Sequence, residues 1–249
     1  MNTVRQISWP RIFAEGGAIV VSILLAFWVD AWWDDRQEQI ELQELLSAVL
    51  DDFQESIGWV ENRRSFASAR RESIVKLFEL ANDDADEYDE QTIDGLLRDV
   101  AWYLSDVPVV TSGLNTFLSS GKIGSLRSDA LRRNLADWPS TLLWLETQIS
   151  TDKEFAFDFW VPFIHKNGFN PQIARAHDRF PGDSEPDSTW KFPIAVRGKV
   201  NHSQLLANKE FLNILHTAWS IQSNVLNACD EAEKSLNESI GLLQKELDR

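Results

Sequence analysis

No proline interrupts the chain from Ile12 to Ala81, and this constrains the fold more than any other feature. A proline inside a helix removes a hydrogen bond and clashes with the preceding turn, so a stretch this long without one is free to be a single continuous helix. Its apolar residues have the matching period. Ile40, Leu42, Leu45, Leu46, Val49, Leu50, Phe53, Ile57 and Val60 recur at three- and four-residue steps, as on one face of an α-helix. Ser65 to Leu80 continues the pattern, with Phe66, Ile74, Leu77 and Phe78 apolar.

The start of this stretch has a different character. Ile12 to Trp33 reads IFAEGGAIVVSILLAFWVDAWW. Its uncharged run, Gly16 to Val29, taken alone suits a buried helix or a signal-peptide core. The whole 12–33 stretch covers roughly 33 Å at about 1.5 Å per residue, close to the hydrocarbon thickness of a bilayer. Trp28, Trp32 and Trp33 gather at one end and Trp9 lies beyond the other, as in interfacial aromatic belts. Glu15 and Asp30 lie toward the ends, where a carboxylate costs less than at the centre. These features predict a transmembrane helix at 12–33. Arg5 and Arg11 precede it and Asp34 and Asp35 follow, so the positive-inside rule keeps residues 1–11 cytoplasmic and exports 34–249. A cleavable signal peptide ending at Val29-Asp30-Ala31 and a buried core helix are the competing readings.

On a helix, Ala14, Ala18, Ser22, Ala26 and Asp30 recur every fourth residue with Glu15 beside them, a stripe of small or polar side chains. Membrane helices associate where small residues permit close approach and polar groups bond across the contact. The stripe predicts a homo-oligomer with Glu15 and Asp30 facing inward; the competing reading leaves both acids hydrated at the interface.

Beyond α-helical residues 34–80, the nine residues from Asn82 to Glu90, NDDADEYDE, lack the glycine and terminal glutamate of a calcium-binding loop and read as a solvated turn. A helix is expected from Thr92 to Leu104, then a short one capped by Thr111 or Ser112 and ending at Gly121. Ser128 caps the next, with Leu131 and Leu135 on its buried side; Pro139 kinks or restarts it. Thr141 to Val161 follows, closed by Pro162 and Gly168. A long loop is expected over 166–202, with Pro171, Pro181, Pro186 and Pro193 and no steady period. A last helix, capped by Asn208, runs to about Leu247. Five to seven helices with no strand series predict an all-α bundle.

Charge and chemistry narrow the function. Acids outnumber bases 39 to 24, a surface that repels phosphate backbones, so nucleic acid is not an expected partner. Arg63, Arg64, Arg70 and Arg71 sit among acids and read as a solvated or acid-pairing face. The single cysteine, Cys229, excludes an internal disulfide and CxxC zinc sites. The four histidines, His165, His177, His202 and His216, have no metal-site spacing. No phosphate-binding glycine loop or nucleophile elbow occurs. The expectation is a non-enzymatic chain with no cofactor and no metal.

Glu15 to Phe53, including EGGAIVVSILLAFWVDAWWDDR and LQELLSAVLDDF, and Thr116 to Trp138, TFLSSGKIGSLRSDALRRNLADW, resemble a bacterial family of uncharacterised proteins with an N-terminal anchor and a helical domain. The family often has glycine where this chain has Ser22. The resemblance implies the anchor and the helical fold and carries no activity. Together these readings predict a single-pass inner-membrane protein with a periplasmic helical domain, self-associating, in a scaffolding, sensing or assembly role. A small-subunit ion channel lined by Glu15 and Asp30, and a periplasmic enzyme or ligand-binding bundle, are the alternatives.

Overall fold

The structure, a computed structural model, describes residues 9–82, 89–101, 109–167 and 201–248; in the first of these, side chains are described at Gly17 and from residue 20 onward. Among the described residues the chain is helical throughout, without strands. In order come α1 (Trp9–Asn82), α2 (Glu90–Ala101), α3 (Ser112–Ser119), a 3-10 turn (Lys122–Ser125), α4 (Asp129–Phe155), a π turn (Ala156–Trp160), α5 (Val161–Asn167), α6 (His202–Leu206) and α7 (Lys209–Leu247). The all-α bundle is as expected. The predicted acidic turn after Asn82 and most of the predicted loop over 166–202 lie outside the described residues.

The proline-free stretch lies within one helix of 74 residues whose first turn holds Pro10, about 110 Å long at 1.5 Å per residue. A row of its buried positions, Leu46, Val49, Phe53, Ser56, Val60, Arg63, Ala67, Arg70, Ile74 and Leu77, alternates steps of three and four, with Asp52 and Ser73 buried beside it. The same alternation runs along α7 through Phe211, Leu215, Ala218, Gln222, Val225, Cys229, Ala232, Leu236, Ser239 and Leu243. On α4, Leu131, Leu135, Trp138, Leu145 and Asp152 follow it too. A heptad seam on three helices lets each side chain seat between residues of its neighbours, the packing of coiled coils. Phe53 and Trp138 meet across it, ring centroids 5.4 Å apart.

The core has two parts. One joins Leu46–Ala67 of α1 to α3, to the first half of α4 and to Val225–Leu243 of α7. The other joins Ile74 and Leu77 to α2, Phe155, the π turn, α5, α6 and Phe211–Ala218. These are called the near and far cores, by distance from the start of α1.

Two caps follow expectation: the Ser128 side chain accepts from Leu131 N–H, and Asn208 accepts from Glu210 and Phe211 N–H. Gly121 takes the left-handed conformation after α3, φ 71°. The short helix α3 departs from it. Thr111 makes no side-chain cap; Asp52 of α1 reaches over and accepts from Gly113 N–H at 2.7 Å and Leu114 N–H at 3.0 Å. This buried carboxylate fills the orphan donors of a helix start, and it docks α3 so closely that a Cβ on Gly113 would stand 2.6 Å from the Ala48 carbonyl oxygen.

The helix runs on through both prolines. Pro139 neither restarts nor ends α4, because Leu135, Trp138 and Leu145, on both sides of it, are held in the same core. Pro162 does not close the helix either. The chain widens into a π turn in which Val161 N–H bonds to Ala156 O, and helix resumes through Pro162 to Asn167. A wider turn accommodates a residue with no N–H to give.

The predicted transmembrane helix finds no support in this architecture: among the described residues, no helix is long and apolar enough to cross a membrane. Asp30, Asp34 and Asp35 interrupt the apolar run on its C-terminal side, and the side chains of 9–16, 18 and 19 lie outside the described residues. With it, the expected membrane and periplasmic placement has no backing from helix length and apolarity.

Candidate functional site

Two places in the molecule spend free energy in a way that packing alone does not explain. The first is the leading part of α1. Every described side chain from Val20 to Ile40 is exposed, although an isolated helix in water gains most of its stability from packing. Val20, Val21, Ile23, Leu24, Leu25, Phe27, Trp28, Val29, Trp32 and Trp33 are each about half exposed or more. At 100° per residue these bulky side chains point to most sides of the helix, and apolarity this broad belongs to a helix enclosed on all sides.

Of the predicted stripe, Ser22, Ala26 and Asp30 stand in line on the exposed helix, while the side chains of Ala14, Glu15 and Ala18 lie outside the described residues. Of the predicted interface aromatics, Trp28, Trp32 and Trp33 are exposed and Trp9 lies outside. Past the tryptophans the helix surface turns acidic, with Asp34, Asp35, Glu38 and Glu41 against Arg36. Glu41 is the first of them to meet the bundle, through Lys122 Nζ at 2.6 Å.

The second place is inside. Where the near core gives way to the far one, three helices each contribute a buried polar side chain: Arg70 from α1, Asp152 from α4 and Gln222 from α7. Arg70 Nη1 donates to Asp152 Oδ2 at 2.6 Å and Gln222 Nε2 donates to Asp152 Oδ1 at 2.7 Å. Arg70 Nε donates to the Val100 carbonyl at 3.0 Å, a late carbonyl of α2. Arg70 Nη2 has no partner among the described residues. Beside this layer, Arg63, Phe66, Ala67, Ile149, Asp152, Gln222 and Val225 line a cavity of about 20 Å³, enough for one water. Burial pushes the Asp152 carboxyl above its usual range, against the pull of Arg70 and Gln222, and lowers the Arg70 pKa. Guanidinium is not deprotonated in proteins, so the layer holds a permanent buried cation.

Of the four arginines expected on a solvated or acid-pairing face, Arg64 and Arg70 do pair with acids, Arg70 with buried Asp152. Arg64 pairs with Asp230 at 2.7 Å and Glu233 at 3.3 Å, and Arg71 lies over Trp219. Arg63 and Arg70 are buried instead, because they fall in the heptad seam with Val60, Ala67 and Ile74. That alignment was the signal in the sequence.

Of the histidines, His202 Nε2 lies 2.8 Å from Asp94 Oδ1, and His177 is outside the described residues. Among the described residues no group of three or more His, Cys, Asp or Glu could hold a metal ion. The Cys229 thiol is buried and pushed up to about 11 by that burial, which leaves little thiolate to act as nucleophile or ligand.

The chain matches no protein-family model, no curated protein and no solved structure. The resemblance carried by residues 15–53 and 116–138 accordingly rests on those residues alone, and function has to be argued from the two places just described.

Proposed function

We propose that this chain is a membrane-anchored, non-enzymatic helical protein. In this reading residues 12–33 sit in a bacterial inner membrane, residues 1–11 are cytoplasmic, and the bundle lies in the periplasm, where it serves a scaffolding, sensing or assembly role. One observation carries the reading: α1 presents apolar side chains on most faces between Val20 and Trp33, and the bundle covers none of them. A protein partner covers one side of a helix, whereas lipid covers all of them. The tryptophans at 28, 32 and 33 supply amphipathic rings where apolar surface meets charge.

Copies of the chain associate through Ala14, Glu15, Ala18, Ser22, Ala26 and Asp30, the side on which helices approach most closely at least cost. No nucleic acid, metal or cofactor enters this reading.

The test is fractionation of the full-length protein from bacterial cells. It should sediment with membranes, come out with detergent and not with high salt, and lose its bundle to protease added from the periplasmic side. Recovery in the supernatant with the first forty residues intact would overturn the anchor. Native mass spectrometry in detergent reads the association, which a monomer at every concentration would refute.

A further inference from the structure

The Arg70–Asp152–Gln222 layer cuts across the whole bundle at one level. On α1 it lies between Ala67 and Ile74, on α4 between Leu145 and Phe155, and on α7 between Ala218 and Val225. The buried apolar residues form one cluster above it and another below it. The charged and polar groups facing the interruption are Arg63 and Arg70 from α1, Asp152 from α4, Gln222 from α7 and the Val100 carbonyl of α2. A polar layer conducts cooperativity poorly, because its groups can exchange their mutual hydrogen bonds for water at modest net change. A water-sized cavity already borders it.

The two sides also differ in construction. Near the start of the bundle the core rests on long stretches of α1, α4 and α7, with only the 8-residue α3 docked onto them. On the far side it depends on α2 with 12 residues, α5 with 7 and α6 with 5, helices too short to persist without their packing.

We propose that the polar layer is a seam at which the far half of the domain opens as one unit while the near half stays closed. Opening wets Arg70 and Asp152 together, so neither is stranded in an apolar medium, and it uncovers the aromatic cluster of Trp160, Phe163 and Phe211, whose ring centroids lie 5.8 to 6.4 Å apart. The inference stands on the bundle alone and does not depend on the membrane reading.

The experiment is native-state hydrogen exchange of the full chain in detergent micelles across sub-denaturing urea. Amides of Ile93–Val100 and Phe211–Ala218 should exchange as a group, about a hundredfold or more faster than those of Leu131–Leu145 and Val225–Leu243, and with a shallower urea slope. The two ends of α7 are the internal control, since they belong to one helix. Equal protection and equal slopes at both ends overturn the proposal. A triple variant, Arg70→Met, Asp152→Leu and Gln222→Leu, replaces the layer with apolar side chains, an exchange that buried ion pairs tolerate. In it the rate gap should close; a folded variant that keeps the gap overturns the proposal, and if it does not fold, the wild-type slopes decide.

Discussion

The two parts of α1 obey opposite rules although they belong to one unbroken helix. From residue 42 onward the helix carries a heptad seam, buries one side and leaves the other to charge. From Val20 to Trp33 it carries exposed apolar side chains, past the tryptophans it turns acidic, and no described side chain there is buried. Helical backbone is thus a poor guide to what a segment does. The period of the apolar residues, one face or all faces, separates the segment that packs within the chain from the one that the bundle leaves exposed.

Substitutions test that contrast. The largest effect belongs to Arg70→Leu, which strands the Asp152 carboxylate and should lower unfolding stability by about 3–5 kcal/mol near neutral pH, read as a fall in urea midpoint. The loss should shrink on acidification. Burial already raises the Asp152 pKa above its usual value of 3.8, and without Arg70 the main opposing pull is gone. A raised folded-state pKa means the folded protein holds the proton more tightly than the unfolded one. The associated stability is complete below the unfolded value and is lost as pH rises through the folded one. A pH-independent loss would contradict this.

Next comes Gly113→Ala, whose Cβ meets the Ala48 carbonyl; α3 has to shift, at about 1–3 kcal/mol. An unchanged midpoint would show that α3 docks loosely. Ser128→Ala removes the cap on α4 and should cost about 1 kcal/mol, by the same measurement. Smallest for folding is Phe27→Ser, at a side chain 68% exposed. It should leave the unfolding transition within about 0.5 kcal/mol of wild type while reducing the fraction bound to lipid vesicles. If it destabilised the bundle as much as the packed positions do, the contrast between the two parts of α1 would collapse.

Much of the architecture was legible in the sequence where local chemistry decides it. The missing prolines announced α1, Ser128 and Asn208 marked their helices, and Gly121 ended α3. What escaped was decided at long range. Nothing near Thr111 indicates that α3 is capped by Asp52, because that carboxylate arrives from another helix. Pro162 read locally as a helix end and Pro139 as a kink or restart, yet the helical path continues through both. Arg63 and Arg70 read as surface charge because their type outweighed their position. The heptad that placed them inside is visible only when they are counted with Val60, Ala67 and Ile74. The segment from Val20 to Trp33 was legible as apolar, and the bundle leaves it exposed.

The unbroken length of α1 has a mechanical corollary. The part embedded in the bundle, from residue 42 to 82, is a stiff mast of about 60 Å, so a swing of about 5° at its foot displaces its tip by about 5 Å. That tip carries Ile74 and Leu77 into the less robust half of the domain. Any torque applied where the mast leaves the bundle is therefore felt most at the opposite end, with no loop along the way to absorb it.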